Sequence, residues 1–248
     1  MNWQGKKVVI TGASAGIGAA TALRFAAAGA NVLGIARRGD RLQGLEKNAG
    51  VSSLILDITD ATAVAQAGKE GHFENVDVLV NNAGLARGTA PMQSADEADW
   101  QEMMETNVMA LLRITRAVLP GMLARKSGHV VHLGSVAGRW VYPGGGVYCA
   151  TKHAVRALAE GLRLDIQGSG VRVTNIEPGL VQTEFSEVRF RGDKERAKAV
   201  YANTRAMVPQ DVAEAIFWSC SLPNHVNVQE MVLYPTDQAA IRDVYRTA

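Results

Sequence analysis

The stretch TGASAGIG, Thr11–Gly18, decides the fold because it stands between two segments of different character. Lys7–Thr11 is short and rich in β-branched residues, which predicts a buried strand, and Ile17–Ala28 predicts a helix that Gly29 ends. Glycines permit positive φ, and the N-terminus of a helix presents free N–H groups and partial positive charge. The segment therefore predicts a strand, a turn suited to a phosphate group, and a helix. Its G-x3-G-x-G spacing differs from the common G-x-G-x-x-G, so a purely structural turn stays an alternative.

Strand and helix patterns alternate along the rest of the chain. Six further short apolar strands are predicted, at 31–36, 54–56, 76–80, 130–133, 171–176 and 231–233. Helices are predicted at 40–48, at 61–70 after an Asp60 N-cap, in two stretches of 96–122, at 147–167, and at 210–221 behind Pro209. Such alternation implies right-handed crossovers. We therefore predict an α/β fold, with a doubly wound, Rossmann-type parallel sheet of about seven strands. No composition break marks a boundary, so residues 1–248 are predicted to form a single domain.

Composition and charge exclude several classes of protein. The chain has 248 residues with 26 Lys plus Arg and 24 Asp plus Glu, a formal net charge of +2 that favours neither nucleic acid nor a membrane surface as partner. No stretch approaches the roughly 20 uninterrupted apolar residues of a membrane span. The two cysteines, Cys149 and Cys220, are far apart, and the histidines lack ligand spacing, so neither disulfides nor a metal site is predicted. These features predict a cytoplasmic protein that acts on small molecules.

The residues after the second predicted strand indicate the cofactor. A free ribose 2′-hydroxyl is usually bound by an acidic residue about 20 positions past the loop. Here the strand ends in Ala36 and is followed by Arg37 and Arg38, whose guanidinium groups favour a 2′-phosphate. The sequence therefore predicts NADP rather than NAD, with a solvated turn as the other interpretation of the arginines. Asp57 is expected at the adenine edge and Asn82–Gly84 on the ribose side, both at strand ends.

A reactive cluster is predicted in the second half of the chain. Tyr148 and Lys152 lie four residues apart on a predicted helix and so share one face, while Ser135 closes the fifth strand. Because a nearby ammonium favours the phenolate, the expected effect is a lowered pKa of Tyr148. Tyr148 would then exchange a proton with a substrate oxygen as hydride moves, and Ser135 would hold that oxygen. A Tyr-x3-Lys pair alone is commonplace, so the prediction depends on the combination of motifs.

In order and spacing, these motifs resemble the short-chain dehydrogenase/reductase family over nearly the whole chain. The matching segments are TGASAGIG at 11–18, NNAG at 81–84, Asn107, Ser135, YCATK at 148–152 and PG at 178–179. The resemblance implies a catalytic tetrad of Asn107, Ser135, Tyr148 and Lys152. In it, Lys152 would bind the nicotinamide ribose, and Asn107 would position a water that links Lys152 to solvent. The resemblance also implies a homotetramer.

The cofactor-binding residues expected from motif and resemblance together lie in the glycine loop, at strand ends and around the nicotinamide. They are Gly12, Ala13, Ser14, Ala15, Gly16, Ile17, Gly18, Arg37, Arg38, Asp57, Ile58, Asn82, Ala83, Gly84, Tyr148, Lys152, Pro178, Gly179, Val181 and Thr183. By resemblance, Pro178–Thr183 would cover the nicotinamide, and Thr183 would contact its carboxamide.

Longer strings resemble a subgroup of the family, the NADP-dependent 3-hydroxy acid dehydrogenases. The strings are AVLPGM at 117–122, AGRWVYPGGGVY at 137–148, EPGLVQTEFSEVRFRGD at 177–193 and LPNHVNV at 222–228. The implied substrates are serine, L-allo-threonine and 3-hydroxypropionate, with malonic semialdehyde in the reverse direction. Alternatives are a reductase of another small aldehyde or ketone such as sulfoacetaldehyde, and a non-catalytic NADP-binding sensor or scaffold.

A carboxylate substrate requires a cation, and Arg189 is the predicted one. It follows the cofactor-covering segment directly, within a predicted substrate lid at about 183–208, where it can grip a carboxylate with two hydrogen bonds. Ser135 and Tyr148 complete the predicted substrate contacts. Trp140 and Tyr142 are expected either to line the cleft or to pack in the core or between subunits, and Gly144–Gly146 are expected to let the chain approach the substrate.

Overall fold

A computed structural model describes residues 2–247, and its centre is one parallel sheet. The seven strands stand in the order β3-β2-β1-β4-β5-β6-β7. Their bounds are β1 Lys7–Thr11, β2 Asn31–Ala36, β3 Ser52–Ile55, β4 Val78–Asn81, β5 Gly128–Leu133, β6 Val171–Pro178 and β7 Glu230–Leu233. The order reverses between β1 and β4, which opens a crevice at their carboxyl ends. The predicted doubly wound sheet is confirmed.

Helices pack on both faces of this sheet. They are α1 Gly16–Ala27, α2 Gly39–Ala49, α3 Ala61–Lys69, α4 Glu97–Met104, α5 Ala110–Arg125, α6 Gly146–Asp165, α7 Phe185–Arg189, α8 Lys194–Val200 and α9 Pro209–Ser221. Successive strand residues point to opposite faces, so Val8 of β1 belongs to a core cluster with Phe25 of α1, and Val9 to one with Ile114 of α5. The central strands are therefore apolar on both sides, as the sequence pattern predicts.

Pairing with neighbouring strands sets the strand ends where the sequence pattern does not. β6 continues past the predicted end at Ile176, because Glu177 and Pro178 pair with Val232 and Leu233 of β7. Conversely, β4 begins two residues later than predicted, at Val78, opposite Val8 of β1.

The helical stretch Glu97–Arg125 joins α4 to α5 through a π-turn at Glu105–Met109. By length and composition it is the one helix within residues 2–247 that is long and apolar enough to cross a membrane. Its apolar side chains, among them Ile114 and Val118, pack in the core beneath the sheet. The helix is therefore apolar because one of its faces packs in the protein core.

Candidate active site

A cleft of about 1320 Å³ opens at the carboxyl edge of the sheet. Most of the residues predicted to bind cofactor or substrate line it, from the glycine loop at one end to Tyr148 and Arg189 at the other. Three predicted residues do not line it. Ala13 is buried, and its N–H donates to the Ile35 carbonyl. Gly18 packs against Gly12 and Asn82. Asn107 is buried behind the cleft wall. Ala13 and Gly18 therefore shape the loop rather than contact what it holds.

The glycine loop closes tightly over β4. Gly12 has φ +68°, and a Cβ there would lie 2.8 Å from Asn82 Nδ2 and 2.9 Å from Ala83 Cα. Gly16 also has positive φ, +54°, and starts α1, whose N-terminus has no side-chain cap. The first-turn N–H groups of α1 thus face the cleft without a side-chain partner, as an anion site requires.

Threonine and asparagine fix the seam between β1 and β4. The Thr11 hydroxyl accepts hydrogen bonds from the N–H groups of Asn82 (3.1 Å) and Ala83 (3.0 Å). In return, the Asn82 side-chain amide donates to the Thr11 carbonyl at 2.8 Å. These bonds hold the backbone of Asn82–Gly84 against the glycine loop, which forms the floor of the cleft.

Arginines occupy the end of β2, at the far end of the cleft from Tyr148. Arg38 donates two hydrogen bonds to the Ser14 hydroxyl, at 3.1 and 3.0 Å. Arg37 lies 3.8 Å from Asp57, and its side chain is 67% exposed. Burial acts to raise the pKa of Asp57, but hydrogen bonds from Thr59 and the charge of Arg37 outweigh it and hold that pKa below its usual value. The cationic end of the cleft suits a phosphate group.

Tyr148 projects from the first turns of α6 into the opposite end of the cleft, where it is 8% exposed. Its ring lies 5.6 Å from the ring of Phe185, and the Arg189 guanidinium lies 5.4 Å from its centroid. Burial raises the pKa of Tyr148 well above its usual value, and the Tyr142 hydroxyl adds to this. A hydrogen bond with Ser135 and the charge of Arg189 act in the opposite direction without reversing the shift.

The prediction that Lys152 lowers the Tyr148 pKa is therefore wrong for this structure. Lys152 does share the helix face, but its ammonium lies 6.0 Å from the Tyr148 ring centroid and donates to the Leu133 carbonyl at 2.7 Å. Lys152 is 5% exposed, and this burial lowers its own pKa to about 8. Loss of hydration outweighs proximity for both groups.

Asn107 sits in the π-turn and is fixed by three hydrogen bonds. Its Oδ1 accepts from the Leu85 N–H at 2.8 Å, and its Nδ2 donates to the Leu85 carbonyl (2.8 Å) and to Thr151 Oγ1 (3.0 Å). A Cβ placed on Gly84 would lie 3.1 Å from Asn107 Oδ1 and 3.6 Å from Lys152 Nζ. Gly84 therefore lies between the asparagine and the lysine, and a side chain there would crowd Asn107 Oδ1.

Ser135 stands at the end of β5 and begins a short turn, Val136–Gly138, with its hydroxyl accepting from the Ala137 N–H at 3.1 Å. Behind this turn, Arg139 forms ion pairs with Glu177 and Glu230. The Glu177 side chain is fully buried and also accepts from Asn175 Nδ2 at 2.8 Å. The Ser135 turn is thereby tied to β6 and β7.

Pro178–Thr183 leaves β6 and runs along one wall of the cleft. Gly179 N–H donates to the Leu233 carbonyl and Leu180 N–H to Gln238 Oε1, each at 2.7 Å. Thr183 lies close to the loop, because a Cβ on Gly16 would be 3.4 Å from it. Two short helices, α7 and α8, then form the segment predicted as a lid.

Arg189 ends α7 among three aromatic rings. Its guanidinium donates to the Tyr142 hydroxyl and lies 5.8 Å from the centroid of Phe185, while its Nε is buried without a hydrogen-bond partner. Buried guanidinium groups are normally satisfied, so the free Nε–H of this cleft-lining residue suits an added acceptor. Tyr142 lines the cleft, one of the two predicted alternatives, whereas Trp140 does not line it and is 59% exposed.

Two of the three glycines before Tyr148 allow close contacts within the protein itself, while an approach to a substrate stays a prediction. Gly144 has φ +73°, and a Cβ there would lie 2.1 Å from the Thr89 carbonyl oxygen. A Cβ on Gly145 would lie 2.2 Å from the Tyr142 ring. Gly144 thus allows the Thr89 backbone to come close, and Gly145 allows the Tyr142 ring to come close.

Four charged residues that no sequence motif indicates hold the segment predicted as a lid. Glu184 pairs with Arg38 and Arg41 at the start of the segment. Near the end of α7, Arg87 donates to the Val188 carbonyl and is itself held by Glu102 at 2.6 and 2.7 Å. These residues are distant in sequence and stand in mixed-charge segments, which normally indicate solvated surfaces. No local pattern could have singled them out.

The residues present fit a dinucleotide that carries a 2′-phosphate. Only glycine permits the close backbone approach at Gly12, the start of α1 offers N–H groups, and guanidinium groups replace the acidic residue at the end of β2. Within residues 2–247, no three His, Cys, Asp or Glu side chains are grouped as a metal site requires.

Known proteins are similar to this chain over most of its length. The sequence model described as "short chain dehydrogenase" matches residues 6–194. The NADP-dependent 3-hydroxy acid dehydrogenase YdfG of Salmonella typhi is 46% identical over 237 residues, covering 94% of this chain and 96% of that protein. Serine 3-dehydrogenase of Rhizobium radiobacter is 44% identical over 244 residues, covering 96% and 98%.

Solved structures agree with the fold over nearly its full length. The closed form of serine dehydrogenase complexed with NADP+ superposes with a TM-score of 0.93 at 44% identity, covering 97% of this chain and 100% of that one. Serine dehydrogenase from Escherichia coli gives a TM-score of 0.82 at 40% identity, covering 94% and 99%.

Proposed function

Because the chain belongs to the short-chain dehydrogenase/reductase family, we propose that it is an NADP-dependent oxidoreductase acting on short 3-hydroxy acids. Serine, L-allo-threonine and 3-hydroxypropionate are the substrates in one direction, and malonic semialdehyde is the substrate in the other. The observation that carries this proposal is the position of Arg189. Its unpaired Nε–H and the Tyr148 phenol meet in one pocket, a cation beside a proton donor.

In the proposed reaction, each residue of the tetrad has a separate role. NADP, when bound, accepts or supplies the hydride. Ser135 donates a hydrogen bond to the substrate oxygen, and Tyr148 transfers a proton to or from that oxygen. Because its pKa is raised, the Tyr148 phenol is protonated at neutral pH, which is the form that donates a proton to a carbonyl under reduction.

Lys152 and Asn107 have supporting roles in this proposal. Lys152 binds the nicotinamide ribose, and Asn107 positions a water that links the lysine to solvent. Asn107 Oδ1 and Lys152 Nζ both lie close to Gly84, which supports a connection between the two side chains. At the other end, Arg37 and Arg38 bind the 2′-phosphate, and Pro178–Thr183 covers the nicotinamide.

A spectrophotometric panel tests the substrate class. Serine, L-allo-threonine and 3-hydroxypropionate are assayed with NADP+ and with NAD+, beside a neutral alcohol of similar length. We expect NADP+ reduction with the hydroxy acids and at least about tenfold lower kcat/KM with the neutral alcohol, because the latter makes no ion pair with Arg189. Turnover of sulfoacetaldehyde or a neutral ketone alone would favour another reductase, and no turnover at all would favour a cofactor-binding sensor.

Substitution of Arg189 separates the carboxylate contact from the chemistry. Arg189→Ala is expected to raise KM for hydroxy acids about 10- to 100-fold, because a charge-assisted bidentate contact is removed, and to leave neutral alcohols unaffected. Arg196→Ala, which changes an arginine of the neighbouring helix α8, is the matched control and is expected to leave both KM values unchanged. Equal losses on both substrate types after Arg189→Ala would contradict the assignment.

We also propose a cytoplasmic homotetramer. Both cysteines are buried and free, which suits a reducing compartment. Met104, Met109 and Leu112 on the α4–α5 stretch are each more than a third exposed, which supports assembly through these long helices. Light scattering after size-exclusion chromatography measures the mass directly, and a monomer would contradict this part of the proposal.

A further inference from the structure

One carboxylate connects the lid to the opposite wall of the cleft. Glu184, which directly precedes α7, accepts a hydrogen bond from Arg38 Nη1 at 2.9 Å through one oxygen and from Arg41 through the other. Arg38 begins α2 as its N-cap, and Arg41 lies in its first turn. The two ion pairs therefore span from the start of the lid to the turn after β2. We call them the Glu184 strap.

The strap holds the start of α7, and other contacts hold its far end. This helix has only 5 residues, and its far end carries Arg189 on Tyr142 while the Arg189 carbonyl accepts from the Gly88 N–H at 2.9 Å. So short a helix has little stability of its own, and its position depends on these contacts. Loss of the contacts at one end of α7 would free that end of the helix.

The cleft remains open beneath the strap. The cavity of about 1320 Å³ is present with both ion pairs formed, and residues on either side of them line it. Arg37 lines the cleft and is 67% exposed, and Arg38 donates to Ser14 through Nε and Nη2. Arg38, Arg41 and Glu184 all line the cleft, so the strap forms part of its wall.

We propose that Glu184 and Arg41 are further residues of the cofactor site, and that the Glu184 strap holds NADP(H) in the cleft and sets its rate of dissociation. This inference rests on the proposed function for the identity of the dinucleotide. Arg37 and Arg38 contact the 2′-phosphate in that proposal, whereas Glu184 and Arg41 act across the mouth of the cleft.

The rate of NADPH release, measured by stopped-flow fluorescence during displacement with excess NADP+, tests the strap. Glu184→Gln and Arg41→Gln are each expected to release NADPH about 1.5- to 5-fold faster than wild type, the range for partly exposed ion pairs. The double variant is expected to be no faster than Glu184→Gln, because the two residues act as one contact. Raising the salt to about 1 M is expected to reduce the difference, since the Debye length falls to about 3 Å.

A matched control is available on the neighbouring helix. Glu195 of α8 is an exposed carboxylate that pairs with Lys198 at 3.2 Å, and Glu195→Gln is expected to release NADPH at the wild-type rate. Trypsin cleavage within 183–208, followed by mass spectrometry, gives a readout without turnover. We expect NADPH to protect this segment in wild type and to protect it less in Glu184→Gln.

The outcomes distinguish failure of the strap proposal from failure of the proposed cofactor. Equal release rates in wild type and Glu184→Gln would overturn the strap alone. Tighter binding by Glu184→Gln would also overturn it, because the carboxylate would then compete with the phosphate for the arginines. A wild-type protein that binds no NADPH would overturn both the strap and the proposed cofactor.

Discussion

At the scale of single residues, the balance between burial and proximity governs the chemistry of Tyr148 and Lys152. Sequence spacing predicted that the two would share a helix face, and they do. It could not predict that Lys152 would turn to the Leu133 carbonyl, or that the phenol would be enclosed by Phe185 and Tyr142. The sign of a pKa shift depends on the surroundings supplied by distant segments, which a local motif does not contain.

Tyr148→Phe isolates the proposed proton transfer. The ring and its packing on Phe185 remain, so we expect NADPH to bind within about twofold of wild type, while kcat falls about 10²- to 10⁴-fold for loss of the acid–base group. Steady-state kinetics beside fluorescence titration of NADPH checks both numbers. Retention of full turnover would remove Tyr148 from the mechanism.

Lys152→Met tests the lowered pKa of the lysine through stability. The folded pKa of about 8 lies below the usual value of 10.5, so the unfolded chain binds more protons between these limits, and wild-type stability rises with pH across them. Below about pH 8 both states are protonated, and the full cost of burying the charge is present. From pH 7 to 9.5 we expect wild type to gain about 2 kcal/mol relative to Lys152→Met.

Differential scanning calorimetry at the two pH values measures this as a change in the difference between the melting temperatures. At this chain length the expected change is about 4–8 °C in favour of wild type at the higher pH. A difference that does not vary with pH would mean that Lys152 titrates as it does in the unfolded chain.

At the scale of elements, caps and turns were the most predictable features. Asp60 was predicted as an N-cap, and its carboxylate accepts from the N–H groups of Thr62 and Ala63. Pro209 occupies the first turn of α9, and Gly50 ends α2 with φ +64°. Each of these depends on one residue and its neighbours, so sequence suffices. The lid helices depend on ion pairs between distant segments, and only their approximate span could be predicted.

Gly145→Ala tests whether Tyr142 positions the lid. The new Cβ would lie 2.2 Å from the Tyr142 ring, which must then move and release the Arg189 guanidinium. We expect KM for a hydroxy acid to rise about tenfold with kcat less affected, because the carboxylate contact loosens. Gly146→Ala is the matched control, since its Cβ would meet nothing closer than Met92 at 3.8 Å. A similar KM in both variants would contradict the role of Tyr142.

At the scale of the whole molecule, the alternation of strands and helices was enough to predict the sheet. The position of the cleft followed from it, because the carboxyl ends of β1 and β4 diverge wherever strand order reverses. Polar contacts that cross the sheet could not be predicted. The cluster of Glu177, Arg139, Glu230 and Arg156 joins the Ser135 turn, β6, β7 and α6, yet its members are far apart in sequence.

Glu177→Gln tests what this cluster contributes to global stability. The side chain is fully buried, so removing its charge leaves Arg139 with one carboxylate partner instead of two. We expect a loss of about 2–3 kcal/mol and a melting temperature lower by about 4–12 °C. Glu195→Gln is the control, because its pair with Lys198 is more than 70% exposed on both sides, and it should leave the melting temperature unchanged. Equal changes in melting temperature for Glu177→Gln and Glu195→Gln would mean that the buried cluster contributes no more to stability than an exposed ion pair.

The π-turn at Glu105–Met109 has an evolutionary consequence. A π-turn contains one more residue than an ordinary helical turn, so it rotates everything after it by about 100° relative to an uninterrupted helix. A single-codon deletion here would preserve helicity and composition, yet it would swing the Asn107 amide away from both Leu85 and Thr151. Natural variants of this chain should therefore tolerate changes of residue type in the segment more readily than changes of length, a pattern that deep mutational scanning with indels would reveal.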